Sequence, residues 1–479
     1  MKNILFILTD QQRADTIHAL GNDDIITPAL DSLACTSSVF EKCYTPSPIC
    51  VPARLSLLSG LYPAKTGNNT NNCDKSYTGK GFYSRFTENG WNTCAIGKMH
   101  NITDLYGDLG FKQRFTQEEM AHEKNDYMQY LHRTPYNHVY DFNGQRSDMY
   151  YMPQVSQLPM EVHPTQWVGD RSVEFIKDAD PETPLFLMSS FIHPHPPFAA
   201  PSPWNKMYRN PIRRSFTPEN PEDYIDLLRN GHVLKAEGIS ERNVEMLTAY
   251  YYACISFVDY QISRIIQALK DKGIYDDTLI VFSSDHGELL GDYGSMGKRT
   301  MLDASARIPF MIHTPGQKDQ KIRKDPASLV DLAPTLLSYA GIEYDREEYD
   351  GIDLFNGKHE LVYSQYASGT QGEWMVASSM DKLIYSAVGD RYFYFKKFPD
   401  EKDCYSEGDE RCRYLKKLLD DYIASDVNSN PETKPMISPA RKPPLSFYSP
   451  IQDHLYTRNE EFARMPEGYP IILGDKPTA

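Results

Sequence analysis

Cys50 begins a segment of the chain whose residue types suit chemistry on an anion. The segment reads Cys50-Val51-Pro52-Ala53-Arg54 and continues through apolar residues to Ser59-Gly60. Pro52 suits the first turn of a helix, where its missing N–H costs nothing, and Gly60 suits the end of that helix. Residues 54–59 are therefore predicted to be helical, with Cys50 near a helix N-terminus that attracts anions through free N–H groups and the helix dipole. On these residues alone, a buried structural cysteine stays open as the alternative.

Polar side chains also follow two apolar runs directly. Asp10-Gln11 come after the run 4–8, and Asp285-His286-Gly287-Glu288 come after the run 279–282. Carboxylate and amide oxygens at such positions suit a hard cation such as Ca²⁺ or Mg²⁺. For Asp10 and Gln11 taken alone, ordinary turn hydrogen bonds at a strand end remain the alternative.

Cationic side chains recur in the same kind of position. Lys98 and His100 follow the run 94–96, and their spacing of two residues puts both side chains on one side of an extended segment. His195 lies downstream of the run 185–188, and Lys298 lies downstream of the run 279–282. Each residue singly is more typical of a solvated side chain, but their common position after predicted strands favours one shared site.

The elements that must position these side chains are short buried strands. The five apolar runs, at 4–8, 94–96, 185–188, 279–282 and 310–312, are bounded by polar or turn residues, as is typical of central strands in a mostly parallel sheet. Helices are predicted between them, most clearly at about 241–270 and from Asp331 to Tyr339. This alternation predicts an α/β fold, a large mostly parallel sheet flanked by helices, with ligands at the carboxyl ends of its strands.

The pattern changes near residue 345. Residues 360–398 are rich in Tyr, Phe and Val and carry turn signals at Gly369, Gly372 and Gly389, which indicates antiparallel hairpins. Residues 413–424 are predicted to form a helix, and the chain beyond about 430 is rich in proline. We predict a catalytic domain over 1–345 and a smaller C-terminal α+β subdomain over 346–479, with an antiparallel sheet and a proline-rich tail.

The bulk composition excludes some partners. The 479 residues carry a formal net charge of −15, which argues against nucleic acid and anionic membranes because both reward a basic face. No apolar run is long enough to span a membrane, and the run 4–8 is too short for the core of a signal peptide. Eight cysteines are too few for a disulfide scaffold, and Cys404 and Cys412 either form a local bridge or stay as free thiols.

The order of these motifs resembles the type I sulfatases of the alkaline phosphatase superfamily, over roughly residues 1–345 and more loosely 360–398. Residues 50–67 resemble the family's maturation signal, in which a cysteine at the first position is oxidised to formylglycine. The family's G-K-x-H, H-x-P and second metal segments are matched by Gly97-Lys98-Met99-His100, His195-Pro196-Pro197 and Asp285-His286. Two positions depart from the usual pattern: Gln11 stands where Asp is usual, and Leu302-Asp303 where Tyr-Glu is usual.

The resemblance implies a mechanism and a set of roles. Formylglycine at position 50 hydrates to a gem-diol; one hydroxyl attacks sulfur in line, and the other then loses its proton and ejects sulfate. His100 is implied to be the base for this collapse, and His195 the acid toward the leaving alcohol. The implied catalytic residues are Cys50, Arg54, Lys98, His100, His195 and Lys298. The implied ligands of Ca²⁺, or of Mg²⁺ in its place, are Asp10, Gln11, Cys50, Asp285 and His286, although the His286 imidazole can instead hydrogen-bond sulfate or the modified Cys50.

The resemblance also implies a substrate class, partners and a location. The expected activity is sulfuric ester hydrolysis on a sulfated carbohydrate, with a glycosaminoglycan fragment and a 2-O-sulfated uronic acid as narrower candidates. A formylglycine-generating maturation enzyme is the implied protein partner. The family resemblance implies the periplasm, whereas a chain without a signal peptide is expected in the cytoplasm.

Several alternatives stay open at this stage. Phosphonate monoester or phosphodiester hydrolysis would use the same site, because sulfate and phosphoryl groups are similar in size and shape. Calcium-dependent binding of sulfated glycans without catalysis would follow if Cys50 were never oxidised. An aromatic and basic insertion after His195 either lines a pocket for an acidic sugar or is a solvated loop; it contains Trp204, Arg209, Arg213 and Arg214.

Overall fold

The computed structural model of this chain describes residues 2–71, 81–100, 105–146, 150–209, 241–396, 402–428 and 465–469. Within these residues the strands form an eight-stranded sheet, a four-stranded sheet and a two-stranded sheet. The strands are β1 Asn3–Asp10, β2 Ser38–Phe40, β3 Cys43–Tyr44, β4 Asn92–Gly97, β5 Gln113–Thr116, β6 Leu185–Pro194, β7 Thr278–Ser284, β8 Phe310–His313, β9 Lys321–Arg323, β10 Ala327–Ser328, β11 Val362–Tyr366, β12 Glu373–Ala377, β13 Lys382–Ser386 and β14 Arg391–Phe395.

Helices connect and cover these strands. In the described residues they are α1 Pro28–Cys35, α2 Cys50–Ser59, α3 Pro63–Thr66, α4 Tyr83–Glu88, α5 Asp126–Leu131, α6 Pro164–Asp178, α7 Glu241–Asp271, α8 Asp303–Ala306, α9 Leu332–Ala340 and α10 Glu410–Ser425. The helix predicted over about 241–270 is therefore confirmed as α7. No helix among the described residues is both long enough and apolar enough to cross a lipid bilayer.

The large sheet is mostly parallel and has helices on both faces. Its strand order is β5-β4-β6-β1-β7-β8-β2-β9, and β1 pairs in parallel with both β6 and β7. Strand β8 pairs antiparallel with β7 and with β2, so the sheet is mixed toward one side. The α/β class predicted from the alternation of elements is confirmed.

Alternating residues of β1 show how the sheet is buried on both sides. Leu5 and Ile7 pack in a hydrophobic cluster with residues of α1, α6 and α7, whereas Phe6 and Leu8 pack in a second cluster with residues of α2, α4 and α9. Successive side chains of a strand point to opposite faces, so a strand covered on both faces must be apolar throughout. This explains the uninterrupted apolar runs in the sequence.

The parallel pairing brings several strand ends to one edge of the sheet. Thr9 is in register with Ser284 of β7, and Gly97 of β4 is in register with Ser190 of β6. The residues that follow β1, β4, β6 and β7 therefore converge, although they are far apart in sequence. This is the edge where an open parallel sheet commonly carries its ligand site.

Helix α2 begins earlier than the sequence predicts. The prediction covers residues 54–59, but the helix runs from Cys50 to Ser59 and is followed by Gly60, which adopts a left-handed conformation with φ of 70°. Pro52 is tolerated because the first four N–H groups of a helix lack partners within it. Cys50 is thus part of the first helical turn.

A separate antiparallel sheet follows the large one. Strands β11, β12, β13 and β14 pair in sequence order, which confirms the predicted hairpins, and α10 packs on this sheet through Leu415 and Leu419. Cys404 is exposed and Cys412 is buried, and both are free thiols, so the local bridge does not form. The domain division at residue 345 stays a prediction, and most of the proline-rich tail lies outside the described residues.

Candidate active site

Asp10 and Gln11 lie where β1 ends. Asp10 is fully buried, and Gln11 has a left-handed backbone with φ of 65°. The Gln11 N–H donates to Asp285 Oδ1 at 3.0 Å, and the Tyr251 hydroxyl of α7 donates to the Gln11 carbonyl at 2.7 Å. The strand end is therefore held from two sides, and the side chains of Asp10 and Gln11 face the end of β7.

Asp285 and His286 continue from β7 beside that strand end. The Asp285 N–H donates to the Thr9 carbonyl at 3.2 Å, which extends the pairing of β1 with β7. His286 Nδ1 lies 3.1 Å from the Gly287 carbonyl, and its Nε2 lies 3.7 Å from Asp10 Oδ1. Because Nδ1 is directed at a carbonyl that can only accept, it carries a proton, and Nε2 is the ring nitrogen that faces Asp10 and Cys50.

These residues fit a divalent cation. One ligand atom from each of Asp10, Cys50, Asp285 and His286 lies within 4.8 Å of the others, and all four residues are buried. Gln11 Oε1 is also buried and has no hydrogen-bond partner. A buried carbonyl oxygen without a donor is costly unless another positive group satisfies it, and hard oxygens are the ligands that Ca²⁺ prefers.

Two buried carboxylates of this site share one guanidinium. Arg54, one turn after Cys50 on α2, donates from Nε to Asp285 Oδ2 at 2.7 Å and from Nη2 to Asp10 Oδ2 at 3.1 Å. Burial and the nearby Cys50 raise the pKa of Asp10, but Lys98, His195 and Arg54 outweigh them and hold that pKa well below its usual value. Burial and the charge of Asp10 instead raise the pKa of Asp285.

Cys50 is the residue on which the cationic side chains converge. Its Sγ accepts from Lys298 Nζ at 2.9 Å and lies 3.2 Å from His286 Nε2, and the residue is only 2% exposed. Burial raises the pKa of the Cys50 thiol, but Lys298, Lys98 and His286 outweigh it and hold that pKa well below its usual value. The site is therefore built to hold a negative charge at position 50.

Lys98 and His100 follow β4, as the sequence predicts. The fully buried Lys98 ammonium donates to Asp10 Oδ2 at 2.5 Å and also forms an ion pair with Glu119. Its backbone carbonyl accepts from Arg54 Nη1 at 2.7 Å. His100 has a left-handed backbone, with φ of 46°, and its Nδ1 lies 3.6 Å from Glu119 Oε1. Both side chains thus reach the site, Lys98 beside Asp10 and His100 beside Glu119.

His193 lies near the end of β6 and His195 directly follows that strand, and the two histidines have different surroundings. His195 Nδ1 lies 2.7 Å from the Pro196 carbonyl, and its Nε2 lies 3.2 Å from the Tyr150 hydroxyl and 3.8 Å from Glu119 Oε1. His193 instead contacts Thr165 Oγ1 at 3.0 Å, and its ring lies 5.1 Å from that of His163 at a tilt of 34°. The structure therefore brings His195, and not its neighbour, to the site.

The sequence analysis did not identify Glu119, or the nearby Arg146 and Tyr150, as residues of the site. Glu119 contacts Lys98, His100 and His195, and its Oε2 accepts from Arg146 Nη2 at 2.6 Å. The Arg146 guanidinium in turn lies over the Tyr150 ring at 5.6 Å. Burial raises the pKa of Glu119, but Lys98, His195 and His100 outweigh it and hold that pKa well below its usual value. The available signal was the Glu118-Glu119 pair just after β5, a strand that the apolar pattern did not reveal.

The insertion after His195 is only partly described. Trp204 is fully buried, with ring centroids 4.9 Å from Phe257 and 5.4 Å from Tyr260, so it is a core residue that neither lines a pocket nor lies in a solvated loop. The aromatic and basic sequence around Trp204 was misleading because the hydrophobic neighbours of Trp204 are on α7, far along the sequence. Arg209 donates from Nε to the Lys206 carbonyl at 3.3 Å. Arg213 and Arg214 lie outside the described residues, and their contact with an acidic sugar stays a prediction.

Comparisons with known proteins agree with this arrangement. The family model described as Sulfatase matches residues 2–342. An arylsulfatase from Clostridium perfringens is 29% identical over 456 residues, which cover 87% of this chain and 93% of the relative. The crystal structure of a phosphonate monoester hydrolase from Agrobacterium radiobacter superposes with a TM-score of 0.74 at 22% identity, covering 89% of this chain and 96% of that one. A structure described as a 2-O GAG sulfatase superposes with a TM-score of 0.69 at 20% identity, covering 90% and 94%.

Proposed function

The chain belongs to the sulfatase family and is a sulfuric ester hydrolase, and from this premise we propose that it releases sulfate from a sulfated carbohydrate through a formylglycine made from Cys50. The contacts around Cys50 Sγ carry this proposal: Lys298 Nζ at 2.9 Å and His286 Nε2 at 3.2 Å, at the first turn of α2. The Lys298 ammonium, directed at this buried atom, stabilises the negative charge that develops in sulfuryl transfer.

The modified side chain and the cation each supply one kind of chemistry. Formylglycine at position 50 would supply a hydrated aldehyde whose hydroxyl attacks sulfur and whose later collapse releases sulfate. A cation such as Ca²⁺, held by Asp10, Gln11, Asp285 and His286, would supply Lewis acidity at a sulfate oxygen. The orphaned Gln11 Oε1 is the observation that favours such a cation.

The side chains of this chain would bind the sulfate and move the protons. Lys98 and Lys298 balance the charge near position 50, and Arg54 holds the two carboxylates in place. His195 would donate a proton from Nε2 to the leaving oxygen, because its Nδ1 is engaged with the Pro196 carbonyl at 2.7 Å. His100, on the other side of Glu119, is the proposed base for release of sulfate.

A carbohydrate is the proposed substrate class. The structural likeness to a protein described as a 2-O GAG sulfatase supports it, and a 2-O-sulfated uronic acid in a glycosaminoglycan fragment is the narrowest candidate. A formylglycine-generating enzyme is the proposed partner in maturation. Phosphonate monoester hydrolysis is the second candidate, favoured by Gln11 and by the likeness to a phosphonate monoester hydrolase.

The deciding experiment is a parallel assay of sulfur and phosphorus substrates. The protein would be co-produced with a formylglycine-generating enzyme, and free sulfate would be measured with a panel of sulfated sugars. Phosphonate monoesters and phosphodiesters would be assayed beside them. We expect sulfate release that is lost in Cys50→Ala and kept in Cys35→Ala, a matched change at an exposed cysteine.

Each result that departs from this expectation points to a different function or nucleophile. Faster turnover of the phosphorus substrates, also lost in Cys50→Ala, would move the activity to the second candidate. Sulfate release that survives Cys50→Ala would reject the proposed nucleophile. An intact thiol at residue 50 by mass spectrometry, with glycan binding and no turnover, would indicate a calcium-dependent glycan-binding protein.

A further inference from the structure

Glu288 is a buried carboxylate that the proposed reaction does not use. It is fully buried and closes the motif Asp285-His286-Gly287-Glu288. Its Oε1 accepts from the Leu290 N–H at 3.0 Å and from the Gly297 N–H, and its Oε2 accepts from Gln11 Nε2. Both oxygens are therefore engaged, one with the loop that leads to Lys298 and one with Gln11 at the end of β1.

The hydrogen bond to Glu288 decides which end of the Gln11 amide is free. An amide presents a donor NH₂ group on one end and an acceptor oxygen on the other, and only its hydrogen-bond partners distinguish the two orientations. A carboxylate offers acceptors only, so it selects the NH₂ end of Gln11. The opposite end, Oε1, is then left without a hydrogen-bond partner. The Gln11 backbone N–H donates to Asp285 Oδ1 at 3.0 Å, which holds residue 11 beside that carboxylate.

We propose that Glu288 is a positioning residue that orients Gln11 so that its carbonyl oxygen serves as a cation ligand beside Asp10 and Asp285. The same carboxylate holds Gly297, the residue before Lys298, and so ties the cation site to the loop that brings Lys298 to Cys50. This inference rests on the cation of the proposed function. Groups that hydrogen-bond metal ligands in this way fix the ligand's orientation, and their loss typically costs about 10- to 100-fold in metal affinity.

Exchanging the amide and the carboxylate between positions 11 and 288 tests how the Gln11 side chain is oriented. In Glu288→Gln, the new amide keeps an oxygen for Leu290 and Gly297 but turns its NH₂ group toward the NH₂ of Gln11. Two donors then face each other, and Gln11 relieves the conflict by rotating, which turns its donor end toward the cation. In Gln11→Glu with Glu288→Gln, the hydrogen bond re-forms in the opposite direction, and a carboxylate oxygen remains for the cation.

Ca²⁺ affinity, measured by titration calorimetry on chelator-treated protein with an unmodified Cys50, is the primary readout. We expect Glu288→Gln to bind Ca²⁺ at least about 10-fold more weakly than the wild type, and the double variant to return to within about 3-fold of it. The exposed Glu123→Gln serves as the matched control and should bind as the wild type does.

A second readout separates the two roles of Glu288. Hydrogen exchange of the peptide that contains Gly297 should stay slow in Glu288→Gln, which keeps an acceptor for that N–H, and should become faster in Glu288→Leu, which loses it. Equal exchange in Glu288→Leu and the wild type would refute the tie to the Lys298 loop.

The remaining outcomes also support or overturn the proposed role of Glu288. Unchanged Ca²⁺ affinity in Glu288→Gln, or a double variant no better than that single variant, would overturn the orientation role. Recovery of folding by the double variant, where Glu288→Gln alone fails to fold, would support it; failure of both to fold would refute the pairing. A wild type that binds neither Ca²⁺ nor Mg²⁺ would overturn this inference, whereas the proposed function would still be decided by the separate assay of sulfate release.

Discussion

At the scale of single residues, the site separates two imidazoles by one carboxylate. Glu119 Oε1 lies 3.6 Å from His100 Nδ1 and 3.8 Å from His195 Nε2, so the two proposed proton-transfer groups share a negatively charged neighbour. The Tyr150 hydroxyl, 3.2 Å from His195 Nε2, further restricts that ring. The two imidazoles thus face one carboxylate oxygen through different ring nitrogens, which is consistent with the proposal of one acid and one base.

The proposed role of His195 predicts a dependence on the leaving group. A sugar alcohol is a poor leaving group and needs a proton, whereas a nitrophenol leaves without one. We therefore expect His195→Ala to lower kcat/KM for a sugar sulfate by about 10²- to 10⁴-fold, and for a nitrophenyl sulfate by less than about 10-fold. Steady-state assays on both substrates test this. Equal losses on the two substrates would contradict the acid role, and the exposed His132→Gln should change neither rate.

At the scale of elements, β4 and β6 approach each other closely where Lys98 enters the site. Gly97, with φ of 98°, ends β4, and a Cβ built on it would lie 1.9 Å from the Ser190 carbonyl oxygen of β6. The Lys98 N–H donates to that same oxygen at 3.0 Å. Only glycine allows this approach, so the position of Lys98 depends on the residue before it.

Gly97→Ala and Gly90→Ala form a matched pair that isolates this close approach. Gly90 also has a left-handed backbone, with φ of 84°, but a Cβ there would meet nothing within 4 Å. The control should cost about 1 to 2 kcal/mol from backbone strain alone. Gly97→Ala should cost more than about 3 kcal/mol, because the strands must also separate. Urea denaturation measures the loss of unfolding free energy in both variants. Similar midpoints for the two variants would show that β4 and β6 can separate at little cost.

Two buried histidines between α6 and β6 predict how stability changes with pH. Burial and the nearby His195 lower the pKa of His193 to about 3, and burial together with His193 holds the pKa of His163 well below its usual value. In the unfolded chain these imidazoles take up protons below about pH 6.5, whereas the native His193 stays neutral until about pH 3. Stability should therefore fall as the pH falls through this window.

The measurement is the free energy of unfolding between pH 7 and pH 4. Each such imidazole contributes a slope of up to about 1.4 kcal/mol per pH unit. His193→Gln should make the slope shallower, even though it lowers stability at pH 7, while His132→Gln at the surface should leave the slope unchanged. An identical slope in His193→Gln and the wild type would mean that the buried imidazole does not control the acid limb.

At the scale of the whole molecule, the net charge of the protein has the same sign as the proposed substrate. The net charge of −15 repels a sulfated glycan at long range, although Lys98, Lys298 and Arg54 attract sulfate at the site itself. Salt screens the long-range part more than the short contacts. We expect kcat/KM for a multiply sulfated oligosaccharide to rise roughly 3- to 10-fold between about 20 and 150 mM NaCl, and to rise less for a monosulfated aryl ester. A fall with salt for the oligosaccharide would place a basic surface along its path.

The sequence predicts those site residues that directly follow an apolar strand. Asp10, Lys98 and Asp285 could be assigned to one edge because parallel strands bring their carboxyl ends together. Glu119 follows a strand with little apolar character, and Arg146 and Tyr150 come from irregular segments, so no periodicity marks them. The bond between Gln11 and Glu288 joins residues 277 apart in sequence, and such a pairing depends on the sheet order. The prediction for Trp204 was wrong for the opposite reason. Its neighbours in sequence indicated an exposed insertion, but a helix distant in sequence buries it.

The sheet order has a consequence for the time course of protein synthesis. Cys50 is enclosed by His286, which follows it by 236 residues, so the pocket cannot close until the ribosome has made that stretch. At about 5–20 residues per second, this takes roughly 10 to 50 s. An enzyme that oxidises Cys50 would have this interval to act on an open substrate, before β7 joins β1 and encloses the thiol. If Cys50 matures as proposed, the length of chain between Cys50 and His286 would set the time available for that oxidation during synthesis.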